Sequence, residues 1–514
     1  MTKIRRAVVP AHHWAAPARR PMLWMPFFFW VALWHAEFAN AQRIDVLSPQ
    51  VRKYVQVSSP KAVLEHVQVI DGTGAPPIPD QNIYIEDGKI SAISAGADLP
   101  SSEGTTIIDL RGFSVMPGIV GMHDPLYYTA RPNLTADRSF ESPALFLPMS
   151  FSAPRLYLAN GVTTIRTAGG VDPYVDLKLK RAIEAGVLPG PHLDVTGAYL
   201  DGPGNPFLQM QELSGPEDAG QTVAYWADRG VTSFKAYAHL TRAELSAAVK
   251  EAHKRGLKIT GHLCSITYEE AAEIGIDNLE HGFFVNTQLD PDKKPDRCTA
   301  SAGDYTLEHM LPGSDEANRL IATLIKHHVA LTSTLPGTAA SVPELGKSAD
   351  GRPPLRPAAL QAMAPALREA VLYARNRVPS QSTPSVAFLL RREMDLERAF
   401  VAAGGLLLAG PDGTGNGGVI PGFGDHTEME LLVDAGFTPL QAIRIATLNG
   451  AIFLGRQDHI GSIAPGKNAD LVVVKGDPAT RIADIENVTI VFKDGVGYDV
   501  NKLLDSVKDR YGEY

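Results

Sequence analysis

Five metal-competent side chains, His123, Lys235, His262, His281 and Asp412, sit in or at the ends of short apolar runs spread along the chain. Imidazole nitrogens and carboxylate oxygens suit zinc or similar divalent metals. A single histidine at a strand end is as a rule a hydrogen-bonded structural residue. The same placement repeated along successive runs is a pattern that such a role does not explain. Tyr237 and His239 lie just past Lys235. They either meet a substrate carboxylate or carbonyl, or simply line a rim. Tyr127 and Tyr128 follow His123 and either offer a phenol to metal or substrate or pack an apolar pocket. His426 follows Asp412 in the chain and is expected at the surface, with support of the site as the alternative. The Gly-rich stretch 413–424 lacks the strand-to-helix setting of a phosphate loop, so it reads as a flexible active-site loop.

Something must bring these distant residues together. Eight apolar runs, at 114–124, 162–168, 193–199, 232–238, 258–264, 278–284, 329–335 and 406–412, are mostly followed by helical patterns. The segment 241–255 has a Thr at the N-cap, Glu three residues later and apolar residues at helical spacing. Stretches 317–328 and 386–403 are also amphipathic. Strand–helix alternation implies a parallel sheet, and eight units imply a closed (β/α)8 barrel, which carries catalytic groups at the C-terminal ends of its strands. Alternating segments at 62–70 and 83–93, with an Asp87-Gly88 turn, resemble segments at 470–475 and 488–493, with an Asp494-Gly495 turn. The two ends of the chain are therefore expected to form a small β-sandwich from 60–112 and 458–500, beside an α/β barrel over 113–457. The Pro-, Ala- and Ser-rich segment 337–383 reads as an insertion or lid, or equally as a solvated loop.

The composition sets limits. The chain has 514 residues, 44% hydrophobic and 20% charged, with a net charge of −9. No long basic run lies beyond the N-terminus, so nucleic acid is excluded as an expected partner. Lys3, Arg5, Arg6, Arg19 and Arg20 precede an apolar run at 22–34 and then Ala39-Asn40-Ala41. This is the layout of a signal peptide over 1–41, which directs the protein to the periplasm or outside. An uncleaved anchor or a misplaced start is the alternative, although the apolar run is short for a membrane span. Two cysteines, Cys264 and Cys298, make no disulfide framework, and spacing alone does not pair them.

A family resemblance enters with particular segments. Val115-Met116-Pro117-Gly118-Ile119-Val120-Gly121-Met122-His123 resembles the first-strand signature of the amidohydrolase superfamily, in its imidazolonepropionase-like group. The resemblance continues through Gly230–Lys235, Thr260-Gly261-His262, Asn278-Leu279-Glu280-His281-Gly282, Leu408–Asp412, 428–439 and 461–471, and covers roughly residues 60–500. It implies that Lys235 is carboxylated and bridges two metals, with His262 and His281 on the second. It also implies that Asp412 holds an activated hydroxide and serves as base and then acid. The implied activity is hydrolysis of a carbon–nitrogen bond in a dipeptide-like (for example Xaa-Pro) or N-acyl amino acid substrate, with zinc as cofactor. A homo-oligomer is compatible with it.

One departure stands out. The family's first strand carries His-x-His, whereas this chain has His123-Asp124-Pro125. Proline has no donor atom, and Asp124 is expected on the opposite face of a strand from His123. The chain then binds one metal on His262, His281 and Asp412, or keeps two by recruiting another ligand, or keeps the fold as a non-catalytic binding protein.

Overall fold

The structure, a computed structural model, describes residues 46–96, 104–133, 141–340, 356–376 and 386–514. The expected signal segment 1–41 and parts of the 337–383 segment lie outside the described residues. Among those described, no helix is long and apolar enough to cross a membrane.

Seven of the eight expected apolar runs contain a strand shorter than the run itself, and the third, at 193–199, overlaps the strand His192–Asp194, which begins one residue earlier. Ile119–Gly121, Val162–Arg166 and His192–Asp194 form one parallel sheet. Ser233–Ala236, Lys258–Gly261, Asn278–Glu280, Ala330–Ser333 and Leu407–Ala409 form a second, also parallel. Isolated parallel bridges, Thr196 to Ser233 and Leu200 to Ala236, link the first sheet's side of the chain to the second. At the other edge, Met122 N donates to Ala409 O at 2.8 Å. Helices between the strands start where the sequence caps them. Thr241 and Glu244 form a reciprocal capping box for the helix Arg242–Lys254, and Thr267 and Glu270 do the same for Tyr268–Ile274.

Both ends of the chain join one nine-stranded sheet. Its order is Val55–Val57, Val496–Asp499, Val488–Lys493, Leu471–Lys475, Phe113–Pro117, Lys61–Val69, Ile78–Glu86 and Lys89–Ala95, with Thr106–Asp109 beside Lys61–Val69. Phe113–Pro117 pairs antiparallel with Leu471–Lys475, which locks the two ends together. Leu64, Val67, Ile83, Ile90, Val115, Val473 and Phe492 fill its core.

The 337–383 segment is partly helical: Pro357–Ala362 and Pro365–Asn376 pack their buried faces onto the main core. Cys264 and Cys298 are joined in a disulfide, a pairing their spacing did not indicate.

Candidate metal centre

The strand Ile119–Gly121 stops before His123, so the histidine sits on a turn rather than in the strand. Its ring is held from one side. His123 Nδ1 donates to Glu280 Oε2 at 2.9 Å, which leaves Nε2 facing Lys235 Nζ at 3.0 Å and Asp412 Oδ1 at 3.5 Å. Glu280 is the last residue of its strand and fully buried. Burial alone would raise its carboxyl, but Arg166, then His123 and Lys235, hold it well below the usual carboxylate range. Arg166 is itself fully buried. It bonds Glu280, Met122 O and Thr260 Oγ1, so one guanidinium ties three strand ends together. An ionised carboxylate on Nδ1 fixes the tautomer that presents a lone pair at Nε2.

Side chains alternate along a strand, so neighbours such as Glu280 and His281 ordinarily face opposite ways. They do not here, because His281 has φ 64°, in the left-handed region. Asp412, after the strand Leu407–Ala409, has φ 54°. Left-handed backbone at non-glycine residues costs of order 1–3 kcal/mol and concentrates at functional sites. Gly410 supplies the remaining closeness. A Cβ there would stand 2.2 Å from His123 N, so only glycine lets the His123 turn reach the strand that delivers Asp412.

His281 Nδ1 is engaged by Thr334 Oγ1 at 2.9 Å, leaving Nε2 available. Burial, reinforced by His262, His123 and Lys235, holds His281 well below its ordinary value, so it is neutral. Burial, then Lys235 and His123, also pull His262 down to about 3. Its ring lies between Tyr237, with centroids 4.7 Å apart, and His281, at 4.6 Å. Lys235 is buried, which lowers it to about 8 against the pull of Glu280 and Asp412.

Donor atoms of His123, His281 and Asp412 all lie within 4.8 Å of one another. Metal–ligand bonds to nitrogen and oxygen are about 2.0–2.2 Å and put donors of one ion up to about 4.4 Å apart, so a shift of a few tenths of an ångström brings all three onto a single divalent ion. The residues therefore fit a metal. His262 stands beside this group rather than in it. The neutral imidazole of His281 is in the state that ligation requires.

The His-Asp-Pro segment contributes little besides His123. Pro125 is buried and gives only its carbonyl, to Tyr157 OH at 3.1 Å. Asp124 is fully buried, its carboxylate filling the space above Gly121, where a Cβ would stand 1.7 Å from Oδ2. Burial, then Asp425, push it well above the usual carboxylate range. It thus sits among other acids and outside the group that fits an ion.

His239 takes Asp201 as partner, by its backbone N at 2.7 Å and its Nδ1 at 3.5 Å. Tyr237 packs edge-on to Tyr199. Tyr127 joins Phe146, Tyr199 and Phe207 in an apolar cluster, with its OH 2.6 Å from Tyr199 OH. Tyr128 packs edge-on to Tyr511. His426 is not at the surface: it is buried, and its Nε2 donates to Asn160 O at 2.7 Å. Residues 413–424 are mostly buried, and Tyr511 OH donates to Gly413 O at 2.8 Å, so the stretch is packed rather than a free loop.

Sequence reasoning missed Glu280, Arg166 and Thr334 as supports of the centre. Glu280 carried a usable signal: a charge inside an apolar run is costly to bury unless paired. Arg166 lies inside another such run, 162–168, and carried the same one.

Parallel strands delivering histidines, a lysine and a carboxylate to one place define an α/β protein with a metal-competent centre. The chain belongs to the amidohydrolase family, whose pattern matches residues 156–497. A solved Xaa-Pro dipeptidase with bound methionine aligns over 85% of this chain and 100% of its own, with TM-score 0.62 and 22% identity. The solved structure of A. niger ochratoxinase aligns over 86% of this chain and 96% of its own, with TM-score 0.58 and 17% identity. These likenesses concern the fold. An imidazolonepropionase of Porphyromonas gingivalis is 36% identical over 97 residues, which are 18% of this chain and 22% of that protein.

Proposed function

We propose that this chain is a metal-dependent hydrolase cleaving a carbon–nitrogen amide bond in a dipeptide-like or N-acyl amino acid substrate. The observation that carries the reading is the convergence of His123, His281 and Asp412, with Lys235 Nζ against His123. The eight short parallel strands and their linking hydrogen bonds support a closed (β/α)8 barrel over 113–457. The sheet built from both ends supports a β-sandwich from 60–112 and 458–500. The terminal segment 1–41 supports export to the periplasm or beyond.

His123, His281 and Asp412 would hold one ion, and Lys235, once carboxylated, and His262 would serve a second where the imidazole missing at Pro125 is restored. Zinc suits the donor set. A divalent ion bound there supplies Lewis acidity, lowering the pKa of a water and offsetting charge on the carbonyl oxygen. The protein's part is positioning and proton transfer. Glu280 keeps His123 oriented. Asp412 takes the proton from the attacking water at its carboxylate and returns it to the leaving nitrogen as the C–N bond breaks. This reading gives the substrate carboxylate or carbonyl to Tyr237, which packs against His262, and to His239.

Pro125 favours a second reading: the site binds a small molecule without turning it over. One experiment separates the two. The purified protein is loaded with zinc, manganese or cobalt and screened against Xaa-Pro dipeptides and N-acyl amino acids. Metal-dependent release of free amino acid supports the hydrolase. Saturable binding without release under every metal supports the binding protein.

A further inference from the structure

A second cluster of metal-competent groups lies away from the centre, where the parallel strands meet the nine-stranded sheet. His192 opens the strand His192–Asp194, at the end opposite to the one that would carry the chemistry. Asp470 precedes the strand Leu471–Lys475. Asp494 occupies the turn between Val488–Lys493 and Val496–Asp499, with φ 50°. The three are 8%, 4% and 3% exposed. Their donor atoms lie within 4.8 Å of one another.

We propose that His192, Asp470 and Asp494 bind a divalent cation that clamps the parallel strands to the end sheet. His192 Nε2 is 3.1 Å from Asp494 Oδ2 and 3.9 Å from Asp470 Oδ2. Nε2 thus stands at ion-pair distance from Asp494 Oδ2, although the two are out of line for a well-directed hydrogen bond. Donors that share one ion have this spacing. With bonds of about 2.0–2.2 Å, neighbouring donors stand roughly 3–4 Å apart, and their lone pairs point at the shared centre rather than at each other.

The other polar atoms agree. Asp470 Oδ1 accepts Asp494 N at 2.7 Å, while Asp470 Oδ2 has no partner. Asp494 Oδ1 has none either. Two buried carboxylate oxygens without hydrogen bonds, beside a buried imidazole nitrogen, are costly unless something binds them. Lys493 Nζ is 3.3 Å from Asp494 Oδ2. Its charge weakens the site for a cation, so we expect lower affinity here than at the His123 centre. One nitrogen and two carboxylates select zinc, cobalt or manganese over calcium.

The test uses the full chain with zinc as the probe. Crystals grown with zinc are examined by anomalous diffraction at the zinc edge. The expected result is a peak about 2 Å from His192 Nε2. Zinc content is then compared in solution for H192A and H281A. H192A should lose one equivalent and keep the one at the His123 centre, and H281A should lose the other. A zinc peak at His123 and His281 with none at His192 overturns the clamp and leaves the hydrolase reading intact. Unchanged zinc content in H192A also overturns it. Should H192A fail to fold, the anomalous map of the unaltered protein decides.

Discussion

His123 Nδ1 and Glu280 Oε2 are 2.9 Å apart, and the other oxygen of the same carboxylate carries Arg166. A residue that touches no substrate thereby sets which nitrogen of His123 faces the centre. Glu280→Gln keeps the size and removes the charge. Carboxylates behind a ligating histidine are typically worth 10–100-fold in metal affinity. We expect a zinc affinity lower by that factor, read by competition with a chelating dye. An affinity within twofold of the unaltered protein would show that Glu280 does not act through His123.

Asp412 is 30% exposed on its side chain and faces His123 Nε2 at 3.5 Å. As proton carrier it should contribute about 10²–10⁴-fold to turnover. Asp412→Asn should lower kcat in that range on whichever substrate the screen identifies, with bound zinc measured on the same sample. A kcat within threefold at full zinc content sinks the assigned role.

Pro125 is buried where the family carries an imidazole. Pro125→His should raise bound zinc by one equivalent relative to the unaltered protein and increase turnover. Unchanged zinc in a folded variant means that the missing imidazole is not what limits the site.

The Cys264–Cys298 disulfide spans a sequence separation of 34 and begins two residues after His262. On the chain-entropy account a loop of this length is worth about 3–4 kcal/mol. Cys298→Ser should lower the urea-unfolding free energy by roughly that amount. A change under 1 kcal/mol would argue against a bridge that forms in solution.

Glu393, Glu397 and Glu428 are fully buried, and none is ion-paired among the described residues. Burial pushes Glu393 up to about 8, against the hydrogen bond it accepts from Phe283 N. Burial raises Glu397 and Glu428 as well. The folded protein therefore holds protons that the unfolded chain has released. The stability these groups give is full below the ordinary glutamate value of 4.5 and falls as pH rises towards 8. The slope is at most about 1.4 kcal/mol per pH unit for each group. Urea midpoints taken from pH 7 to 8, above the range in which the lowered His262 and His281 act in the opposite sense, should decline, and Glu393→Gln should flatten the decline. Midpoints constant over that range would refute the protonated state.

Positions of the strands were legible because apolar runs of limited length, bounded by glycine and followed by helical periodicity, have few other ways to bury themselves. The five candidate residues stood out because polar groups end those runs, and the loss of donor chemistry at Pro125 needs no coordinates to see. What the chain order does not carry is direction. Alternation assigns Glu280 and His281 to opposite faces, and only the left-handed backbone at His281 undoes that. Which three donors share one small volume depends on Gly410 letting the His123 turn approach the strand before Asp412. The pairing of Cys264 with Cys298, the burial of His426 and the meeting of His192 with Asp470 and Asp494 are contacts between distant segments. Local spacing encodes which face of an element is apolar. It does not encode how separate elements are rotated and set against one another, so these contacts were decided by tertiary packing alone.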